Sequence, residues 1–334
     1  MLRADLGNSI AQQRQSLASK DIRVQFGASM TALAGERADL LAITADLMYA
    51  TGMSGFGARY PERLINVGIA EQNMTGVAAG LASCGKLPVV CGYAAFTTLR
   101  AAEQAKVDCA YNNLKVILIG QSSGLSYGVG GPSHQTFEDV AIMRAIPNMK
   151  VVVASDAIEV DQALHACVAS EVSGPIYLRL GRGPEHLVND VEEPFEIGRA
   201  RVLRKGSDLC IVANGPMVAE AVMAADALAG LGIGATVLNM HTVKPIDRDA
   251  ILAAAAYVRG MIVIEEHNVH GGLGSAVLEA LRDGHSFPVR LIGIEDFYPP
   301  IGPTAELRAS LGLSAENVCR QALEMLGAVT GGPD

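Results

Sequence analysis

The sequence predicts an α/β protein of two domains, each a mostly parallel sheet flanked by helices. Three observations predict it. Short apolar runs alternate with segments of helical period along nearly the whole chain, the pattern of strands joined by helical crossovers. The alternation breaks once, in a polar stretch at residues 184–198, and then restarts. At 334 residues the chain can hold two cores, and half of its residues are hydrophobic while only 18% are charged.

Residues 1–20, with Gln12, Gln13, Arg14 and Gln15, read as a polar helical arm. Ile22, Phe26, Met30 and Leu33 recur at helical spacing and predict a helix over 21–36. A buried strand at 40–44 leads to a glycine-containing loop at 48–60, a strand at 64–67, a helix at 72–84 and a strand at 88–91. A long helix is expected over 96–113, then the strand KVILI at 115–119 and a glycine-rich loop at 120–135. Helices at 138–144 and 157–170 alternate with strands at 150–154 and 176–180, completing a first domain over 21–183. The acidic, proline-containing stretch at 184–198 reads as a linker. In the second domain, 199–327, strands at 208–213, 235–239, 261–265 and 289–293 alternate with helices at 217–231, 248–256 and 273–282. A helix at 317–326 closes it, and residues 328–334 form a tail. Gly230, Gly232 and Gly234 follow a helix and precede a strand, the reverse of the dinucleotide-binding order, so they read as a helix stop.

Composition excludes several classes. A formal charge of −9 and the lack of a basic stripe argue against a nucleic-acid surface. No apolar run approaches the ~20 residues of a membrane span, and the N-terminus has no signal pattern. Cys84, Cys91, Cys109, Cys167, Cys210 and Cys319 lie far apart without metal-ligand spacing, as reduced thiols of a cytoplasmic protein do. His267 and His270, beside Glu265 and Glu266, lack a ligand geometry and read as a polar loop; no metal site is expected in this chain.

The chemistry-bearing candidates cluster at strand ends. Glu71, in LINVGIAEQN, sits at a strand-to-helix junction, where a helix N-terminus favours an anion. Its neighbours Ile69, Ala70, Val77 and Ala78 solvate a charge poorly, so it is a helix-start residue or a working acid kept from water. Ser122 lies in Gly120–Gly124, which matches GxSxG, but a nucleophile elbow needs a helix directly after the serine, and here more loop residues follow. The loop remains a site candidate, because ligands of open α/β sheets bind beyond the strands' carboxyl ends. His134, in GGPSHQ, is a structural loop residue or a proton carrier. Tyr93 and Phe96 are core aromatics or stacking platforms. Arg100, Glu103 and Gln104 offer a solvated helix face or a role at a bound cofactor or subunit contact. Asp46 reads as a turn residue, and Arg182, in LGRG, as a linker arginine or an anion-binding fork.

GIAEQNM followed by GVAAGLA resembles the pyrimidine-binding domain of thiamine-diphosphate enzymes of the transketolase family. VANGPMVAEA, NMHTVKPID and VIEEHNVHGGLGSAV resemble that family's C-terminal domain, so the resemblance spans about residues 20–327. It implies that Glu71 contacts the aminopyrimidine N1′ and drives the ring to its reactive tautomer. It implies that Tyr93 and Phe96 stack on or edge that ring, that His134 meets the substrate's oxygens, that Arg182 takes a distal phosphate, and that Asp46 lies near the active site or subunit contact. Two positions depart from sugar-phosphate transketolases: Gly130 replaces an aspartate that reads a sugar hydroxyl, and Ser122 replaces a histidine near the phosphate. Ser133 stands where threonine is usual.

The diphosphate-binding GDG motif of full-length members does not occur. The resemblance therefore implies one half of a split transketolase, working with an N-terminal subunit that holds the diphosphate and Mg²⁺, in an α2β2 heterotetramer. The reaction implied is transfer of a two-carbon ketol unit from a ketose, expected to be phosphorylated, to an aldehyde. Alternatives on the same domain are a 1-deoxyxylulose-5-phosphate-synthase-like enzyme, a 2-oxo-acid dehydrogenase E1 β-type subunit and a catalytically silent binding module.

Overall fold

The structure, a computed structural model, describes residues 2–171 and 173–327, with side chains from residue 6 onward. The tail expected at 328–334 lies outside the described residues. The chain opens with α1 (Leu2–Ser16), β1 (Ser19–Asp21) and α2 (Ile22–Glu36). β2 (Leu40–Thr44), α3 (Ser54–Arg59), β3 (Leu64–Asn66), α4 (Glu71–Ser83) and β4 (Leu87–Tyr93) follow. A wide helix comes next: π-helical turns at Ala95–Arg100 and Ala105–Tyr111 flank a short α-helical step, α5 (Ala102–Gln104). β5 (Ile117–Gln121), α6 (Asp139–Ala145), β6 (Lys150–Val153), α7 (Ala157–Ala169) and β7 (Ile176–Arg179) complete the first half. The second half holds β8 (Pro184–His186), β9 (Arg201–Arg204), β10 (Leu209–Ala213), α8 (Met217–Ala229), β11 (Ala235–Asn239) and β12 (Thr242–Lys244). It ends with α9 (Arg248–Ala255), β13 (Met261–Asn268), α10 (Leu273–Ala280), β14 (Val289–Ile294), α11 (Thr304–Ser310) and α12 (Ala315–Met325).

Two main sheets result, in the orders β12-β6-β7-β5-β4-β2-β3 and β14-β13-β10-β11-β9. Their inner strands are parallel and covered by helices on both faces, which is why they read as unbroken apolar runs; every residue of β4, β5, β10 and β11 is buried. Asp21 starts α2 by accepting a hydrogen bond from the Val24 amide at 3.0 Å, and Ile22, Phe26, Met30 and Leu33 turn inward toward β2 and β4. Truncating a fully buried side chain such as Phe26 to alanine is expected to cost about 3–5 kcal/mol.

The halves interlock. β12, from the second half, lies antiparallel to β6 and forms an edge of the first sheet, with Thr242 opposite Val152. One core cluster runs across both halves, joining Ile43, Met74 and Tyr177 to Cys210, Leu238 and Met261. The N-terminal arm is less free than its polar sequence suggests: Leu6 and Ile10 of α1 are buried in the second domain's core. The region expected to be plain linker holds β8, which pairs antiparallel with β1. Three further expectations are corrected. The 48–60 loop contains α3, seated on α2 by Phe56. The helix expected at 96–113 is largely π-helical. His267 is not in a polar loop but buried on β13.

Candidate active site

Parallel pairing puts the carboxyl ends of β2, β3, β4, β5 and β7 along one edge of the first sheet. The candidate residues lie there. Tyr93 ends β4 and stands in register with Gln121 at the end of β5. Asp46 follows β2 in a left-handed conformation (φ 62°), which aspartate tolerates better than most residues, and its backbone amide donates to Asn66 Oδ1 at 3.0 Å. Ser122 follows β5, also left-handed (φ 56°) and 1% exposed. No helix begins after it, so the GxSxG stretch presents no exposed nucleophile.

Four rings and a guanidinium converge. The His134 ring lies edge-on to Tyr127, Phe96 and Tyr93 at centroid distances of 5.3, 5.4 and 5.9 Å. Tyr93 also meets Phe96 at 6.0 Å and Tyr127 at 5.9 Å. Arg182 donates from Nη1 to the Tyr93 hydroxyl at 2.7 Å and stacks over the Tyr127 ring at 4.3 Å, a cation–π contact. Arg182 thus belongs to the cluster rather than to the linker. His134 is set by its own loop: its backbone amide donates to the Gly131 carbonyl at 2.9 Å, and Nδ1 lies 2.9 Å from Ser133 Oγ.

Glu71 is the first residue of α4 and only 3% exposed. Its Oε2 accepts a 2.8 Å hydrogen bond from Arg100 Nη1, and the Arg100 side chain is 49% exposed. The Arg100 guanidinium also lies over the Phe96 ring, 4.6 Å from its centre. Glu71, Arg100, Phe96, His134, Tyr93, Tyr127 and Arg182 therefore form one chain of contacts. Among the described residues, neither Asp46 nor Ser122 joins it through a hydrogen bond or ring contact, although both share the same sheet edge.

Tyr127 escaped the sequence reading. The available signal was a lone aromatic inside a run of small residues, with no apolar periodicity to claim it for the core. Gly130 is explained by the same packing. A Cβ there would lie 2.8 Å from His134 Cβ and 3.1 Å from Tyr127 Cδ1, so the position has no room for a side chain.

The second domain braces this loop. Glu266, on β13 and 2% exposed, accepts the Leu125 amide at 2.7 Å. Its other oxygen takes Arg308 Nε from α11, and Arg308 reaches Glu185 with two further bonds of 2.8 and 3.1 Å. Burial disfavours the Arg308 charge, but Glu185 and Glu266 raise its pKa beyond the usual arginine range. Beside it, the Tyr177 hydroxyl and Arg179 Nε both donate to Asp139, at 2.6 and 2.7 Å. Burial alone would raise the Asp139 carboxyl; Arg179 and His267 outweigh it and hold the group below the ordinary value. Gln135 donates to the carbonyls of Gly128 and Pro300, and Thr304 to that of Leu125. The second domain thus sets the position of this loop. Among the described residues no cluster of His, Cys, Asp or Glu could hold a metal ion, and no helix is long and apolar enough to cross a membrane.

A buried acid at a helix start, a cluster of aromatic rings and an arginine at the carboxyl edge of a parallel sheet, with a second α/β domain behind, are the arrangement of a thiamine-diphosphate-enzyme fold. Residues 18–184 match the pyrimidine-binding domain of transketolase and residues 198–318 the transketolase C-terminal domain. The chain belongs to the transketolase family. It is 41% identical to a 6-deoxy-6-sulfo-D-fructose transketolase subunit of Clostridium sp. (strain MSTE9), over 86% of this chain and 88% of that protein. It is 38% identical to an apulose-4-phosphate transketolase subunit of Phocaeicola vulgatus, over 91% of this chain and 97% of that protein. With the 1-deoxy-D-xylulose-5-phosphate synthase of Thermomicrobium roseum the identity is 41%, but only 48% of that protein is covered. The structure of a split-gene transketolase, described as an inactive β4 tetramer, superimposes with a TM-score of 0.82 at 37% identity, over 92% of this chain and 98% of that one. The similarity thus runs the length of separate transketolase subunits and about half the length of the synthase.

Proposed function

We propose that this chain is the C-terminal subunit of a split transketolase, acting with a diphosphate-binding partner on an anionic ketose. The observation that carries the reading is Glu71: a carboxylate almost removed from water, at a helix start, one arginine away from an aromatic platform. The residues fit the pyrimidine end of thiamine diphosphate. Glu71 would hold a proton at a ring nitrogen, and a dry site strengthens that hydrogen bond. Phe96 and Tyr93 would face the flat ring. When bound, the cofactor supplies a nucleophilic carbon and an electron sink for cleaving the donor's C–C bond. His134, close to the platform and oriented by Ser133 at Nδ1, would exchange protons with the substrate's oxygens. Arg182, with one fork nitrogen on Tyr93, would use the rest of its fork for the substrate's anionic end.

The diphosphate and its Mg²⁺ are assigned to the partner subunit. Exposed apolar side chains flank the site residues in sequence: Tyr49 after Asp46, Ile69 before Glu71, Leu99 beside Arg100 and Val129 beside Gly130. A partner closing over the edge would cover them, and two copies of each subunit would place cofactors at the interfaces. Two of the relatives are named for ketoses carrying a sulfonate or a phosphate, which supports an anionic donor here.

The test is reconstitution with a diphosphate-binding subunit that carries the GDG motif. Deuterium exchange at the cofactor's C2 is expected to be fast in the wild-type complex and at least ~100-fold slower with Glu71→Gln, since proton transfer by a positioned group contributes that much. Equal exchange rates would favour the silent module. Faster turnover of pyruvate than of xylulose 5-phosphate would favour the synthase or dehydrogenase readings. Full ketol transfer by this chain alone would overturn the split arrangement.

A further inference from the structure

We infer that Arg100 is a built-in stand-in for the cofactor's aminopyrimidine, occupying its place until the cofactor displaces it. The inference rests on the assignment of Glu71 and Phe96 to the pyrimidine site. The guanidinium is a flat, delocalised cation edged with N–H donors. It makes two contacts at once: Nη1 donates to Glu71 Oε2 at 2.8 Å, and the plane's carbon lies 4.6 Å from the centre of the Phe96 ring. These are the two contacts proposed above for the aminopyrimidine, a hydrogen bond at Glu71 and a flat group against Phe96. Both cannot be made by two groups in the same place.

The physical reason for such a residue is the cost of an empty site. Glu71 is 3% exposed, and a buried carboxylate without a partner is strongly destabilising. Arg100 supplies a counter-charge, yet its side chain remains 49% exposed, so it has a path out to water once another group takes its place at Glu71. Arg100 therefore has to leave before a flat ring can take its place at Glu71 and Phe96. Apparent cofactor affinity is then lowered by the fraction of molecules in which the site is self-occupied.

The experiment is a calorimetric titration of thiamine diphosphate into the complex assembled with the diphosphate-binding subunit, comparing wild type, Arg100→Gln and Glu71→Ala. Binding, rather than turnover, is read. Removing the stand-in is expected to lower Kd about three- to tenfold in Arg100→Gln, while Glu71→Ala raises it. An unchanged or raised Kd in Arg100→Gln, with Glu71→Ala still weakened, would overturn the stand-in and leave the site assignment intact. An unchanged Kd in Glu71→Ala would overturn the site assignment itself, and the stand-in with it. A thermal melt of the cofactor-free complex gives an independent reading: Arg100→Gln is expected to melt below wild type, because it removes the counter-charge of buried Glu71, and an equal or higher melting temperature counts against the stand-in.

Discussion

Glu266→Ala is the sharpest test of the idea that the second domain holds the loop after β5 in place. The Glu266 carboxylate has two partners, the Leu125 amide at 2.7 Å and the Arg308 guanidinium. Removing it leaves a buried amide without an acceptor, which costs about 1–3 kcal/mol. Arg308 keeps its two bonds to Glu185, so the penalty there falls short of the ~3–5 kcal/mol of a fully broken buried pair. Together the expected loss is about 3–4 kcal/mol. It is read as a drop in the urea midpoint, alongside faster hydrogen exchange at the Leu125 amide. Gly124 sharpens the test. It is left-handed (φ 59°), and a Cβ there would overlap the Glu266 carboxylate. Gly124→Ala carries backbone strain and a clash in the wild type, but strain alone, about 1–2 kcal/mol, when Glu266 is already alanine. The double variant is therefore expected to be more stable than the sum of the single losses implies. A loss under ~1 kcal/mol for Glu266→Ala with unchanged exchange at Leu125, or strict additivity with Gly124→Ala, would refute the brace.

Three further outcomes follow from the geometry. Gly130→Asp is expected to push His134 or Tyr127 aside, because there is no room for a Cβ; a His134 ring resonance that stays put in the NMR spectrum of the variant would contradict this. Ile10→Ala in the arm is expected to cost about 2–5 kcal/mol, measured by urea unfolding, since Ile10 is fully buried in the second domain's core. The third outcome concerns pH. Burial pushes the Glu159 carboxyl up to about 7, against the pull of Ser155 and Arg201, while burial and then Arg201 push His241 down to about 3. Between 4.5 and about 7 the folded chain keeps a proton on Glu159 that the unfolded chain has lost, so this group's stabilisation fades as pH rises through that window. His241 acts oppositely: the unfolded chain gains a proton below 6.5 and the folded one does not, so stability falls as pH drops. Glu159→Gln should remove the first trend and keep the second. The stability difference between variant and wild type should shift by on the order of 3 kcal/mol from about pH 4 to about pH 8, and a flat difference would contradict the burial argument.

Much of this was legible in the sequence, and the reasons for success and failure are physical. The inner strands were readable because burial on both faces demands an unbroken apolar run, as in β4 and β5. The helix of Ile22, Phe26, Met30 and Leu33 was readable because one face is core. β1, β8 and β12 were not, since each has three residues and is defined by a distant partner rather than by its own pattern. The π-helical turns carry no apolar period of their own. At the site, Glu71, His134, Phe96 and Tyr93 could be singled out by residue type in a motif. Arg100 was a candidate whose solvated-face and cofactor-contact readings the sequence could not separate, and Tyr127 was missed, because the importance of each lies in contacts: a guanidinium between Glu71 and Phe96, and a ring under Arg182.

The position of β12 has a practical consequence for anyone dissecting this protein. A fragment cut at the polar stretch near residue 190 would lack the strand that shields the Val151–Val152 side of the first sheet, and its exposed rim would invite self-association. Chimaeras that exchange the rear half between relatives inherit the same problem, because they swap a piece of the front sheet as well. A workable graft would carry residues 242–244 with the sheet they complete.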